Sequence, residues 1–406
     1  MKSLAALSFL VWFTTSEASY APKVEFQWNY INFTWPDQDT IRNQSYIVEN
    51  NSISGIKVWK DRIYLTIPRW KKGIPVTLAS IPVASGPSPL LEPYPDWEMQ
   101  KLDDCLSFQF VLGVEIDPIG RMWIIDNGRT ELLASEPRIN CPPRLVVLDL
   151  EKEGQVIFSY VFPEEVAHCD SVLLNDIVLD HEDSGMAYIT DTDDQDPGII
   201  VFSLENMTSW KVRDESMRGN DEASELIVNG TKLVVKSPVN GIALDPVSVT
   251  ENRSVYYTAL SSYEIFTIPT SVLKNPNLTN ETYSGYVQSL GKKGSQSDGI
   301  GMSAYGVLYF GLLAKDAVGM WDTKKKPFTE NQNILVEDHE IMQWPNSFAF
   351  DTKGRIWFII NKMQKFRTNS MDMNIINYRI ITANVSSHNY QYWRNGSYPS
   401  MPLIEV

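Results

Sequence analysis

Six positions carry the side chains whose types and spacing could do chemistry: Ser54, Leu112, Asn175, Asn240, Asp298 and Asn346. Each opens a short apolar run. Gathered in one place, three amide carbonyls and one carboxylate would hold a hard cation such as calcium. They would equally hydrogen-bond an organic ligand, with Asp298 facing a protonated amine. A third reading is that Asn and Asp only shape the turns that lead into these runs. Asp298 is the one carboxylate among the six, so any acid–base step at these positions falls to it. Tyr309, Phe310, Phe328, Trp344 and Phe348 lie near the last two copies. They can stack on a planar ring, where a cation gains about 0.5–2 kcal/mol, or fill a core.

Other chemistries find little support. The four histidines, His168, His181, His339 and His388, show no metal-ligand spacing. The sequence has neither a Gly-x-Ser-x-Gly elbow nor a nucleotide-binding Gly-rich loop. No cofactor and no metal are expected. Asp191–Gly198 has the look of a calcium loop but lacks Gly at its sixth position, and its twelfth is Phe202 rather than Glu. It reads as an acidic hairpin turn. Cys169 follows His168, but neighbours on a strand point to opposite faces, so Cys169 reads as a buried thiol.

The elements that must position the six residues repeat. Asn346–Asp351 is followed by Gly354–Ile359, and the same strand–turn–strand unit begins at 54, 112, 175, 240, 298 and 346. Units of this size, built from short strands rich in Ile, Val, Tyr, Trp and Phe, match propeller blades. The fold expected is all-β, a six-bladed β-propeller. In such a ring the innermost strand of each blade lines the central channel, so the six positions converge at one mouth. Tyr20–Asn51 is expected to pack on the ring or close it. Ile67–Leu78 reads as two strands joined by a Gly/Pro turn.

The chain has 406 residues, 43% of them apolar, and a net charge of −15. Such acidity speaks against nucleic acid and anionic membranes as partners and suits a small cationic ligand. Residues 1–18 read as a secretory leader: Lys2, then the apolar run Leu4–Phe13, then small and polar residues. Residues 19–406 are expected to form one propeller domain, secreted and extracellular. Ten Asn-x-Ser/Thr acceptors for N-glycans agree with export: Asn32, Asn43, Asn50, Asn206, Asn229, Asn252, Asn277, Asn280, Asn384 and Asn395. Cys105 and Cys141 bracket the second repeat and are expected to pair, which leaves Cys169 single.

Several stretches carry a resemblance. Pro68–Leu78, Gly120–Gly128, Cys141–Leu145, Ala187–Asp191, Met342–Pro345, Asn361–Phe366 and Asn377–Ile380 occur in an order that resembles the yellow / major royal jelly protein family over nearly the whole chain after the leader. The resemblance implies a six-bladed propeller and a role in one of several settings. These are cuticle pigmentation or eggshell, dopachrome conversion, nutrient storage, and binding of biogenic amines. In the amine binders an Asn and a Phe spaced as Asn346-x-Phe348 touch the ligand at the channel mouth, which implies that role for these two residues. The family has two disulfides; Cys105 and Cys141 match one, and the segment after Ser386 lacks the other. Two classes of function follow: a secreted binder of a small aromatic or amine ligand, or an enzyme. The enzyme would be a dopachrome isomerase, with Asp298 as its acid–base group, or less plausibly a calcium-dependent lactonase, which would want a Glu among the six. A structural coat protein needs no pocket at all.

Overall fold

Hydrophobic alternation over short runs produces six four-stranded antiparallel sheets in the computed structural model, which describes residues 21–37, 46–182 and 184–404. The leader and Asn43 lie outside the described residues. The innermost strands, in chain order, are Gly55–Trp59, Val111–Ile116, Leu174–Asp180, Val239–Leu244, Ile300–Met302 and Pro345–Phe350. Each touches the next, and the last touches the first, so the sheets form a closed ring. This is the six-bladed β-propeller expected from the repeats. Blade 6 is completed by the chain's own beginning. Lys23–Trp28 pairs antiparallel with Tyr378–Asn384, so the ring is tied shut by strands from its two ends. Closure leaves no open edge around the channel.

The aspartates that end the first strand of four copies turn out to be staples. Asp351 accepts hydrogen bonds from Arg355 Nε (2.7 Å) and Trp357 Nε1 (3.0 Å). Asp117 does the same for Arg121 Nε (2.5 Å) and Trp123 Nε1 (3.4 Å). Asp245 takes Tyr256 Oη, and Asp180 takes Tyr188 Oη and Arg253. Each carboxylate bridges a strand end to the following hairpin, at the opposite end of the strand from the six opening residues.

Two local expectations need correction. Ile67–Leu78 is not a pair of strands. Residues 67–77 form a loop between Arg62–Thr66 and Leu78–Pro82, because Arg69 turns inward and takes the loop carbonyls as its partners. Cys169 is half-exposed, not buried. It sits on the surface connection into blade 3, with its amide bonded to Glu164. The Cys105–Cys141 disulfide is formed. Of the described sequons, Asn32 and Asn50 are half-buried, and Asn50 donates to the Lys72 carbonyl (2.9 Å). Asn206, Asn229, Asn252, Asn277, Asn280, Asn384 and Asn395 are exposed.

The segment after Ser386 is fastened without a second disulfide. It crosses under the ring and stops the lower end of the channel. Tyr390 exchanges backbone bonds with Met302 and Val247, and its hydroxyl accepts from the Leu179 amide (2.7 Å). Gln391 is fully buried; it donates to the Ile116 carbonyl (2.9 Å) and meets His181 Nε2 (2.8 Å).

Candidate functional site at the channel mouth

Read across the six innermost strands, the channel is built in layers. The first holds Ser54, Leu112, Asn175, Asn240, Asp298 and Asn346, and all six line both the channel and the cavity above it. The expected convergence is therefore present. The second layer reads Gly55, Gly113, Asp176, Gly241, Gly299 and Ser347. Its glycines are demanded by close approach. A Cβ on Gly299 would sit 2.1 Å from the Asn346 carbonyl oxygen, and one on Gly113 would sit 2.4 Å from that of Asn175. The third layer, Ile56, Val114, Ile177, Ile242, Ile300 and Phe348, is buried in the blades. Phe348 packs on Phe358 and Gly301, and it meets the channel below the mouth. The structure thus gathers Asn175, Asn240, Asp298 and Asn346, and sets Phe348 two residues deeper.

Asp298 is the centre of the mouth. Asn240 Nδ2 donates to its Oδ1 (2.8 Å); Trp344 Nε1 (2.7 Å) and Asn346 Nδ2 (3.0 Å) donate to its Oδ2. None of these donors carries charge, and no cation lies within ion-pair distance among the described residues. A carboxylate offers about four acceptor positions, so three donors leave one free on Oδ1. Burial pushes the carboxyl up to about 6, against the pull of the Trp344 and Asn240 hydrogen bonds and of the more distant Arg367. The group therefore changes charge close to neutral pH, as an acid–base catalyst should.

Trp344 holds its indole in place at a conformational cost. Its φ is +63°, a left-handed conformation rarely adopted by a bulky residue and worth about 1–3 kcal/mol. It is also 1% exposed. Trp344→Phe would keep the ring and delete the N–H. A hydrogen bond to a charged group contributes about 1.5–3 kcal/mol, which is at least about one pH unit. The Asp298 midpoint, read from its carboxyl carbon shift, is expected to rise by that amount. An unmoved midpoint would mean that the indole does not hold the carboxylate.

The cavity above the ring contains groups that the sequence reading did not single out. Arg129, Arg367, Asp193, Asp194 and Trp70 all line it. Asp193 and Asp194 belong to the acidic hairpin turn between Met186–Asp191 and Gly198–Ser203, which was recognised as a turn but not as part of the mouth. Arg367 makes no ion pair among the described residues. The Trp70 indole N–H, the Arg129 Nε and the Ser54 hydroxyl are buried without partners, and the Asn175 amide has no protein partner among the described residues. Unused donors and acceptors in a buried, partly apolar wall are what a ligand site leaves for its ligand. With Asp170 and Asp298, the acids of this cavity outnumber its two arginines, which favours a cationic ligand. The cavity above the ring offers about 430 Å³, within the range of small-molecule sites, whereas the channel below has room for only about 70 Å³. Among the described residues, no group of three or more His, Cys, Asp or Glu is placed to hold a metal.

Comparison with known proteins agrees with this architecture. A family model described as major royal jelly protein matches residues 109–391. A dopaminechrome tautomerase of Drosophila melanogaster is 29% identical over 382 residues, covering 90% of this chain and 82% of that protein. Protein yellow of Drosophila erecta is 26% identical over 94% of this chain and 72% of its own length. Among solved structures, a PQQ-bound aldose sugar dehydrogenase from Streptomyces coelicolor superposes with a TM-score of 0.50 at 12% identity, over 90% of this chain and 98% of that one. That likeness bears on the fold alone.

Proposed function

The chain belongs to the major royal jelly protein family, and on that premise we propose that it is a secreted propeller that binds a small aromatic ligand of catecholamine origin at the channel mouth and tautomerises it. The observation that carries this reading is Asp298: a buried carboxyl held by three neutral donors, with one acceptor position unused and a pKa near 6. Tautomerisation of an aminochrome removes a proton from a ring carbon and places one on a quinone oxygen, with no change of oxidation state. Asp298 takes the carbon-bound proton, while Asn346 and the free Asn175 amide hold the ring's polar edge. Support also comes from the relative named dopaminechrome tautomerase, which aligns with 90% of this chain. Export rests on the leader over residues 1–18, the exposed sequons and the Cys105–Cys141 disulfide. Pigment chemistry outside the cell is the setting this implies.

A second reading has its own observation. The acid-rich mouth would hold a biogenic amine with Asp298 opposite its ammonium group, without turnover. Calorimetric titration with serotonin and dopamine, beside optical decay of dopaminechrome and dopachrome, separates the two. Turnover above the buffer rate with loose amine binding is expected. Tight amine binding with no decay would replace the enzyme by a sequestering protein. Asn346→Ala is expected to raise KM about tenfold, the loss of roughly one hydrogen bond. An unchanged KM would remove Asn346 from the site.

A further inference from the structure

The channel holds a second carboxylate that the mouth does not use. Asp176 stands in the layer where four of six blades carry glycine. There the backbones approach so closely that a Cβ would collide with the neighbouring carbonyls. A charged side chain at this position has nowhere to point except into the channel, which it lines. Its Oδ1 accepts from the Ile177 amide (2.9 Å), and no side chain donates to it among the described residues. This contrasts with the three donors on Asp298. Lys57 from blade 1 lines the same space, with Nζ 2.9 Å from Glu115 Oε2. One hydrogen bond leaves that ammonium group with further donors. Below, Tyr390 and Asn389 of the C-terminal segment also line the channel. With that segment seated across the lower end, the mouth is the way in.

We propose that Asp176, with Lys57 lining the same channel, is the second proton-transfer group of the reaction and serves the quinone oxygen from inside the channel. The proposal rests on the tautomerase reading of the mouth. The step balances without an oxidant or reductant. Asp298 carboxylate removes the proton from the ring carbon. The C–H electron pair moves through the ring and opens the quinone carbonyl. The oxygen takes its proton from the Asp176 carboxyl while Lys57 donates a hydrogen bond to the growing negative charge. The proton on Asp298 and the vacancy on Asp176 then equilibrate with water. The arrangement fits the need for a carboxyl that is protonated part of the time. Burial pushes Asp176 up to about 6, and the field of Lys57 is the main pull in the other direction. The charged and titratable groups facing it are Lys57, Glu115 and Tyr390.

The test uses the full secreted protein with dopaminechrome as probe. Asp176→Asn is expected to lower kcat about 100-fold with KM changed by less than about threefold, the range of a lost general acid. It should also abolish the alkaline fall of the pH–rate profile. Lys57→Gln keeps a hydrogen-bond donor to Glu115 but loses the charge, and is expected to lower kcat about tenfold. Wild-type kcat and an unchanged alkaline limb in a folded Asp176→Asn protein would overturn the proposal while leaving the role of Asp298 standing. Should that variant fail to fold, a wild-type kcat in Lys57→Gln overturns it instead. Absence of turnover in the wild type would remove both assignments together.

Discussion

Asp298→Asn is expected to lower kcat for aminochrome decay by about 10³-fold, within the range for a lost general base, and to leave the ring folded. The substitution keeps the shape that Asn240, Trp344 and Asn346 surround and removes the ability to accept a proton. It keeps one acceptor oxygen for Trp344 and Asn346, while the Asn240 amide must turn its own oxygen toward the new donor. Stability should move the other way from activity. A carboxyl whose pKa is raised by folding binds more protons in the native state than in the unfolded chain between the unfolded value, near 4, and the folded value of about 6. Native stability therefore falls as pH rises through that window, and the penalty is complete above about pH 6. Removing the carboxylate removes the penalty. At pH 7 the variant should be as stable as the wild type or more so, by up to about 2 kcal/mol, whereas at pH 4 the gain should vanish. Denaturant titrations at the two pH values check this. A variant that loses activity and stability together at pH 7 would mark Asp298 as a structural group.

Arg69→Met is the largest stability effect expected of a single substitution here: a loss of about 4 kcal/mol or more. Arg69 is 2% exposed, and all five of its N–H groups end on backbone carbonyls. Nε reaches Ile74 (3.0 Å), Nη1 reaches Phe108 (2.6 Å) and Gln109 (2.8 Å), and Nη2 reaches Pro75 (2.8 Å) and Gln100 (2.6 Å). Two carbonyls lie on its own loop in blade 1 and three on the connection into blade 2, so one side chain clasps two blades. Methionine fills the volume but strands five buried acceptors, each worth about 1–3 kcal/mol though not additively. Lysine should fail to rescue, since a single ammonium with three donors cannot reproduce the fork. Lys72→Met, exposed three residues along, should stay within about 0.5 kcal/mol of wild type. Chemical denaturation of the three variants decides it; a shift below about 1 kcal/mol in Arg69→Met would refute the clasp.

The repeat made the ring legible because five of the six copies couple an opening polar residue to an alternating strand, and alternation fixes which face is buried. The polar mouth was legible for the same reason: equivalent positions in a ring must converge. Other features depended on contacts that no local pattern carries. Arg69 abolished the strands expected over Ile67–Leu78 because it draws in carbonyls of its own loop and of the connection into blade 2. Phe348 shares the spacing of a ligand contact and lines the channel two residues below the mouth, where it also packs on Phe358. Asp176 was not singled out beside Asn175, although the glycine pattern at its layer was readable: four glycines and a serine make the one aspartate of that layer, in blade 3, conspicuous. Arg129, Arg367 and the acids of the 191–198 turn reach the mouth from loops whose placement only the folded ring supplies.

The most direct measurement is the rate of dopaminechrome decay with the purified protein from about pH 4.5 to 8, against buffer alone. The account predicts acceleration at every pH and a maximum near 6, where Asp298 is ionised in part of the molecules and Asp176 still protonated in part. Decay indistinguishable from buffer across that range would contradict it and leave the mouth as a binding site without catalysis.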